Sequence, residues 1–195
     1  MSDRRIERRA VLLEWITIAW NSGEVVVTLV LGIAARSLAL VAFGLDAVVE
    51  VFASVVVVWH LGRDRTESRH DRRALRLVAV AFAALAALLT VGAVLALASE
   101  HRADESPVGI LYLAATAVVM FGLAFAKRRA AVGLRSQPLA AEATLTMLDG
   151  VLATSILLAL AANAALGWWW ADPIATLLVA LVAANEARDN WDDAG

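Results

Sequence analysis

Residues Ser37–Trp59, SLALVAFGLDAVVEVFASVVVVW, decide the fold of this chain. A helix needs about 20 residues to cross a ~30 Å hydrocarbon core, and this apolar stretch is long enough and contains no proline. It therefore predicts a membrane-spanning helix. Two acids, Asp46 and Glu50, lie near its midpoint at a spacing of i, i+4, which puts both carboxylates on one helix face.

The pair Asp46 and Glu50 is costly to bury, because one acid at the centre of a membrane helix costs about 2.5–3.5 kcal/mol on insertion scales. No Lys or Arg occurs between Arg36 and Arg63 to act as a local counter-ion. One interpretation is that the acids hydrogen-bond to neighbouring helices, or that one of them stays protonated. The pattern favours the other interpretation, that the pair binds a cation.

The composition indicates a membrane protein that crosses the bilayer several times. Hydrophobic residues make up 61% of the chain, charged residues 18%, and the mean hydropathy is +0.73. A net charge of −2 gives no basic field for nucleic acid. Cysteine is absent, so a metal would need oxygen or imidazole ligands. An enzyme is disfavoured, because the sequence has no nucleophile and base pair, phosphate loop or cofactor motif. We expect no prosthetic group.

Apolar runs separated by charge clusters predict an all-α fold with six transmembrane helices in one membrane domain, residues 1–195. Only helices and closed barrels satisfy their backbone in lipid, and the chain lacks the period-2 pattern of barrel strands. The predicted spans are approximately residues 11–34, 37–60, 75–98, 107–126, 140–166 and 168–186. Too few residues follow the sixth span for a soluble C-terminal domain.

The basic residues predict the orientation. Fifteen Lys and Arg residues lie in the N-terminal tail, the loops 61–76 and 127–139 and the C-terminal tail, against two, Arg36 and Arg102, on the opposite side. The positive-inside rule then predicts cytoplasmic termini in a multi-pass protein of the cell membrane. The tryptophans at 168–170 would mark the outer interface, or alternatively pack against neighbouring helices.

Other acids occur inside the predicted spans. Glu24 in the first span marks either a functional site or a structural hydrogen bond. Glu142 and Asp149 in the fifth span are two turns apart on one face. If the second and fifth helices touch, Asp149 would join Asp46 and Glu50, and the carboxylates would repel unless a divalent cation or protons lay among them. This predicts a site whose oxygens hold metal in one state and protons in another.

The charged loop 60–73 contains His60 and His70, and Asp71 follows the second histidine. Metal binding at the cytoplasmic face is one interpretation of these residues. A solvated loop of mixed charge is the favoured one.

Three segments carry a resemblance to a known family. They are SLALVAFGLDAVVEVFAS (37–54), AAEATLTMLDG (140–150) and WWWADPIATLLVA (168–180). The segments resemble the second, fifth and sixth helices of the cation diffusion facilitator family, and the similarity covers nearly the whole chain. The resemblance implies a transporter that exports Zn²⁺ or a related divalent cation in exchange for protons by alternating access.

The chain departs from the family pattern at Leu145, which stands where the fifth helix usually has a histidine four residues before its aspartate. The resemblance therefore implies an oxygen-only metal site, with Asp46, Glu50 and Asp149 completed by Glu142, Glu24 or water. Zn²⁺ is the first expectation for the transported metal, with Mn²⁺, Fe²⁺ and Co²⁺ as alternatives. Oxygen ligands suit harder ions such as Mn²⁺ better than an imidazole-containing site does.

The expected partners are a divalent cation, protons and the lipid bilayer. The family's C-terminal domain, which helps dimerisation, is not expected here, so a homodimer would be held through the membrane helices. The alternative to transport is a membrane-embedded metal-binding or scaffold protein that no longer moves metal.

Overall fold

The computed structural model describes residues 2–34, 38–62, 68–99 and 107–195 of the chain. Six α-helices follow one another: α1 (Ser2–Ala34), α2 (Leu38–Leu61), α3 (Ser68–Ser99), α4 (Pro107–Leu134), α5 (Gln137–Leu166) and α6 (Ala171–Asp193). The described residues contain no β-strand, so the predicted all-α fold is confirmed.

Five of these helices are long and apolar enough to cross a membrane. Within the described residues the apolar stretches are Arg4–Val30, Phe43–Leu61, Asp71–Ala98, Ile110–Leu134 and Gln137–Ala159. Helix α6 does not meet this standard. Its uncharged run, residues 173–185, is shorter than the ~20 residues that a span needs. The sixth span and the cytoplasmic termini therefore stay predictions.

Several helices extend beyond the predicted spans into charged sequence. Helix α1 begins at Ser2, α3 begins at Ser68 and α4 continues to Leu134. Arg and Glu are good helix formers, so these helices continue outside the apolar layer. Helices α4 and α5 are joined by only Arg135 and Ser136, and Arg135 adopts a left-handed conformation with φ of 49°.

The helices pack in three pairs. Helix α1 packs closely on α2, α4 on α5, and α3 on α6. Contacts of α1 with α4 and of α2 with α5 join the first two pairs into a four-helix core bundle, and the α3/α6 pair packs against α2 and α5. The core bundle is the part of the fold that positions the buried acids.

Small residues allow the paired helices to approach each other closely. A Cβ atom at Gly44 of α2 would lie 2.5 Å from Thr28 Oγ1 of α1, and one at Gly150 of α5 would lie 3.1 Å from the Phe121 ring of α4. Close backbone approach at small residues is typical of membrane helix packing. We infer that glycine is needed at position 44.

The outer surface of the bundle is apolar while its interior is polar. Val118 is 75% exposed and Leu111 is 73% exposed, whereas Glu14, Glu24 and Glu142 are completely buried. This inverts the usual distribution in a soluble protein and fits a surface covered by lipid. The start of α1 and the α4–α5 connection lie at one end of the bundle, together with the N-terminal part of α3. We call this end, which carries Arg4, Arg5, Arg8, Arg9, Arg72, Arg73, Arg76, Arg128, Arg129 and Arg135, the arginine-rich end.

Candidate functional site

Buried polar side chains fill the centre of the core bundle. Among the described residues, the buried acids lie on α1, α2 and α5 alone. These acids and their polar neighbours are Glu14, Asn21, Glu24, Asp46, Glu50, Ser54, Thr116, Lys127, Glu142, Thr146 and Asp149, none more than 3% exposed. Successive members on each helix are three, four, seven or eleven residues apart. Each helix therefore presents one polar stripe to the others.

Four acids from three helices face one another towards the middle of the bundle. We call Glu24, Asp46, Glu50 and Asp149 the carboxylate group. The charge of Asp149 interacts with those of Glu50, Asp46 and Glu24, and the charge of Asp46 interacts with those of Glu50 and Glu24. The structure thus brings Asp149 of α5 to the acid pair of α2, and adds Glu24 of α1.

Few donors serve the carboxylate group. Glu24 Oε2 accepts hydrogen bonds from Tyr112 Oη and Thr116 Oγ1, each at 3.3 Å. Within the described residues, both carboxylate oxygens of Glu50 and of Asp149 have no hydrogen-bond partner, and the same is true of Asp46 Oδ2. Buried oxygens without partners are energetically costly. A bound cation or protons would relieve that cost.

The carboxylate group does not already have the geometry of a metal centre. In the described part of the chain, no three His, Asp or Glu side chains stand close enough to hold one ion. Side chains would therefore have to converge on a metal. Rotation of Asp and Glu side chains about their own bonds can supply such convergence.

A second buried group surrounds Lys127 of α4. Its Nζ lies 2.6 Å from Glu142 Oε1 and 3.2 Å from Glu14 Oε2, and it donates a hydrogen bond to Thr146 Oγ1 at 3.0 Å. Ser54 Oγ donates to Glu142 Oε1 at 2.9 Å. We call these five residues the lysine group. They link all four helices of the core bundle.

Lys127 was missed by the sequence analysis, which counted it in the basic loop 127–139. It is completely buried, unlike its neighbours Arg128 and Arg129. The signal was available, since Lys127 lies eleven residues after Thr116 and three helical turns bring both to one face. Removing Lys127 from the count leaves the positive-inside bias strong.

Glu142 and Asp149 have different charged neighbours, although the charge of Glu50 interacts with both acids. Glu142 pairs with Lys127, and the charges that Asp149 meets belong to Glu50, Asp46 and Glu24. Leu145, between them in sequence, is 1% exposed and packs in the apolar core, so it does not face lipid.

His60 is buried at the arginine-rich end. Its Nε2 lies 3.4 Å from Asp71 Oδ1 and 3.4 Å from Ser136 Oγ, which links α2 to α3 and to the start of α5. The side chain of His70 lies outside the described residues. No metal-binding cluster around His60 is present in the part of the chain that is described.

A comparison with protein families identifies the family of the chain. The model of the cation efflux transmembrane domain matches residues 15–191, which is most of the chain. The chain belongs to the cation efflux family. This match confirms the resemblance drawn from residues 37–54, 140–150 and 168–180. Members of this family are cation transporters. A comparison with curated proteins gives no match.

Proposed function

We propose that this cation efflux protein moves a divalent metal cation across the membrane through a site formed by Asp46, Glu50 and Asp149, with Glu24 as a further ligand. The observation that carries the proposal is the carboxylate group itself. Four acids meet inside an apolar layer with too few donors for their oxygens. Metal-dependent flux into proteoliposomes tests the proposal.

The chemistry of the proposed ligands limits which metal cations the site can bind. Carboxylate oxygens are hard ligands, which suit Mn²⁺ and also accept Zn²⁺, Fe²⁺ and Co²⁺. Zn²⁺ remains the first expectation from the family. Glu142 is left out of the primary ligand set because Lys127 already neutralises it. Among the described residues, no buried cation donates a hydrogen bond to the carboxylate group, although the charge of Lys127 acts on Glu50.

Movement of the cation requires the site to open to each side in turn. The carboxylate group lies between the α1/α2 pair and the α4/α5 pair, with ligands contributed from both. Rocking of one pair against the other would expose the same oxygens to either side, as in other alternating-access transporters. We propose that the arginine-rich end is cytoplasmic and that the membrane is the cell membrane.

Metal uptake should weaken as pH falls. Protons compete with the metal for carboxylates that must be ionised to bind it, so binding is strongest at high pH. The apparent affinity should fall by up to about tenfold per pH unit for each proton that the metal displaces. Uptake into proteoliposomes between pH 6 and pH 8, with a pH-sensitive dye trapped inside, measures both the affinity and the accompanying proton movement.

A matched set of vesicles without the protein gives the passive background for this pH series. If flux and affinity are indifferent to pH and to an imposed pH gradient, then proton exchange is not part of the cycle. A uniport or a binding role would remain.

Replacing Leu145 by histidine should shift preference towards Zn²⁺. The position is buried on α5 one turn before Asp149, so an imidazole there could share a metal with that carboxylate. Imidazole favours Zn²⁺ over Mn²⁺ more than a carboxylate does. The ratio of the two affinities, measured by competition in detergent, should rise in favour of Zn²⁺ by about tenfold, as expected for roughly 1.4 kcal/mol of added ligand preference.

Leu148→His provides the matched control for Leu145→His, because Leu148 is also buried on α5 and is adjacent to Asp149 rather than one turn away. An unchanged Zn²⁺ to Mn²⁺ ratio in a folded Leu145→His protein would place position 145 away from the metal.

A further inference from the structure

The lysine group lies between the carboxylate group and the arginine-rich end. Along α1 the order is Arg9, Glu14, Glu24, and along α5 Glu142 precedes Asp149. Seven residues of helix separate Glu142 from Asp149, which is about 10 Å at 1.5 Å per residue. The direct route along the bundle from the carboxylate group to the arginine-rich end passes the lysine group.

The contacts of the lysine group fall into two kinds. Three of them stay within the α4/α5 pair: Lys127 contacts Glu142 and Thr146, and Thr146 Oγ1 donates a hydrogen bond to Glu142 Oε1 at 3.2 Å. The other two cross from one helix pair to the other. Lys127 of α4 meets Glu14 of α1 at 3.2 Å, and Ser54 of α2 meets Glu142 of α5 at 2.9 Å.

The two crossing contacts lie where the pairs are most easily separated. Packing within α1/α2 and within α4/α5 is extensive, whereas the contacts of α1 with α4 and of α2 with α5 are more limited. Separation of the pairs at this end would break the Glu14–Lys127 and Ser54–Glu142 contacts. Lys127 would keep Glu142 as its partner, so no ammonium would be left alone in the apolar layer.

Charged contacts are a poor means of simply holding helices together. The cost of burying two charges offsets most of their attraction, and well-packed apolar residues often do as well or better. A polar link can, however, break and re-form between two defined helix arrangements. The lysine group is suited to a boundary that must open.

We propose that Glu14 and Lys127 form the latch of an inner gate, which closes the route between the carboxylate group and the arginine-rich end. Opening breaks the two crossing contacts and leaves the Lys127–Glu142 pair intact. The inference rests on the proposed transport function, because a gate requires a pathway. Glu14 and Lys127 are positioning residues in this account and do not bind the transported cation.

Cysteine labelling tests the gate directly, because the chain contains no cysteine of its own. Asn21→Cys places one thiol on the buried face of α1, seven residues beyond Glu14 towards the carboxylate group. A membrane-impermeant, cationic methanethiosulfonate reagent is added outside metal-free vesicles. In one set the arginine-rich end of the protein faces outward, and in the other set it faces inward. Labelling of Asp189→Cys, an exposed position near the end of α6, reports the orientation.

Adding Glu14→Gln to the Asn21→Cys protein should raise its labelling rate from the arginine-rich side by about tenfold, because losing a contact of the closed state increases the population of the open state. The substitution keeps the shape of the side chain and removes its charge, while Lys127 retains Glu142. Labelling from the opposite side should not rise. The rate is followed by mass spectrometry of the intact protein.

Thr146→Val is the matched control, since it removes a contact of Lys127 that lies within one helix pair. It should leave the labelling rate unchanged. Two results would overturn the proposal: equal rates with and without Glu14→Gln, or a rise of equal size from both sides, which would indicate a loosened bundle. The labelling uses no metal, so its failure would leave the transport function standing, and absent metal flux would not alter the labelling result.

Discussion

Asp149→Ala and Asp46→Ala are each expected to reduce metal flux to the background of empty vesicles. Each substitution would remove one of the three principal ligands that we propose, and Glu142 is not free to replace it because Lys127 holds it. Both proteins should still insert into the membrane, since removing a buried acid lowers the cost of insertion by about 2.5–3.5 kcal/mol. Flux of Zn²⁺ and Mn²⁺ into proteoliposomes, normalised to inserted protein, is the measurement.

Two further variants sharpen this test. Asp46→Asn keeps the shape of the side chain and removes its charge, and it should lose flux almost as completely. Asp189→Ala removes an exposed acid of α6, far from the carboxylate group, and should transport like the parent. Wild-type rates in both Asp46→Ala and Asp149→Ala would rule out the proposed ligands.

Lys127→Met is expected to lower the free energy of unfolding by about 3–5 kcal/mol. The substitution removes the only ammonium near Glu14 and Glu142 among the described residues and leaves two buried carboxylates without a counter-ion. Methionine has nearly the length of lysine, so packing should be little affected. Denaturation of the purified protein in mixed detergent micelles gives the change in free energy.

Neutralising the carboxylates should restore the stability of Lys127→Met. The triple variant Lys127→Met, Glu14→Gln, Glu142→Gln contains no buried charge in the lysine group and should recover most of the lost free energy. A triple variant as unstable as Lys127→Met would show that packing of the lysine stem, and not charge, is responsible.

Much of the fold could be predicted because the length of its apolar run is enough to identify each long helix as a span. The stretch 37–59 and the apolar part of α3 need no knowledge of their neighbours to be identified as spans. Helix α6 is the exception. Its charged C-terminal turns shorten the apolar run, so length and composition do not establish a span there.

The acids of the carboxylate group were accessible to sequence reasoning because charge in an apolar stretch is conspicuous. The sequence did not indicate that the buried acids divide between the carboxylate group and the lysine group. Lys127 begins a run of basic residues, and a lysine at the edge of an apolar run is usually solvated. Only the packing of α4 against α1 and α5 buries it and assigns Glu142 to it.

Metal flux into proteoliposomes that contain the purified chain alone distinguishes transport from metal binding without transport. Binding of Zn²⁺ or Mn²⁺ is measured on the same preparation in detergent. We expect metal to accumulate in vesicles with the protein well above empty vesicles, and to fall to background with Asp149→Ala. Metal binding without any flux above empty vesicles would contradict transport, and would support the alternative of a membrane metal-binding or scaffold protein.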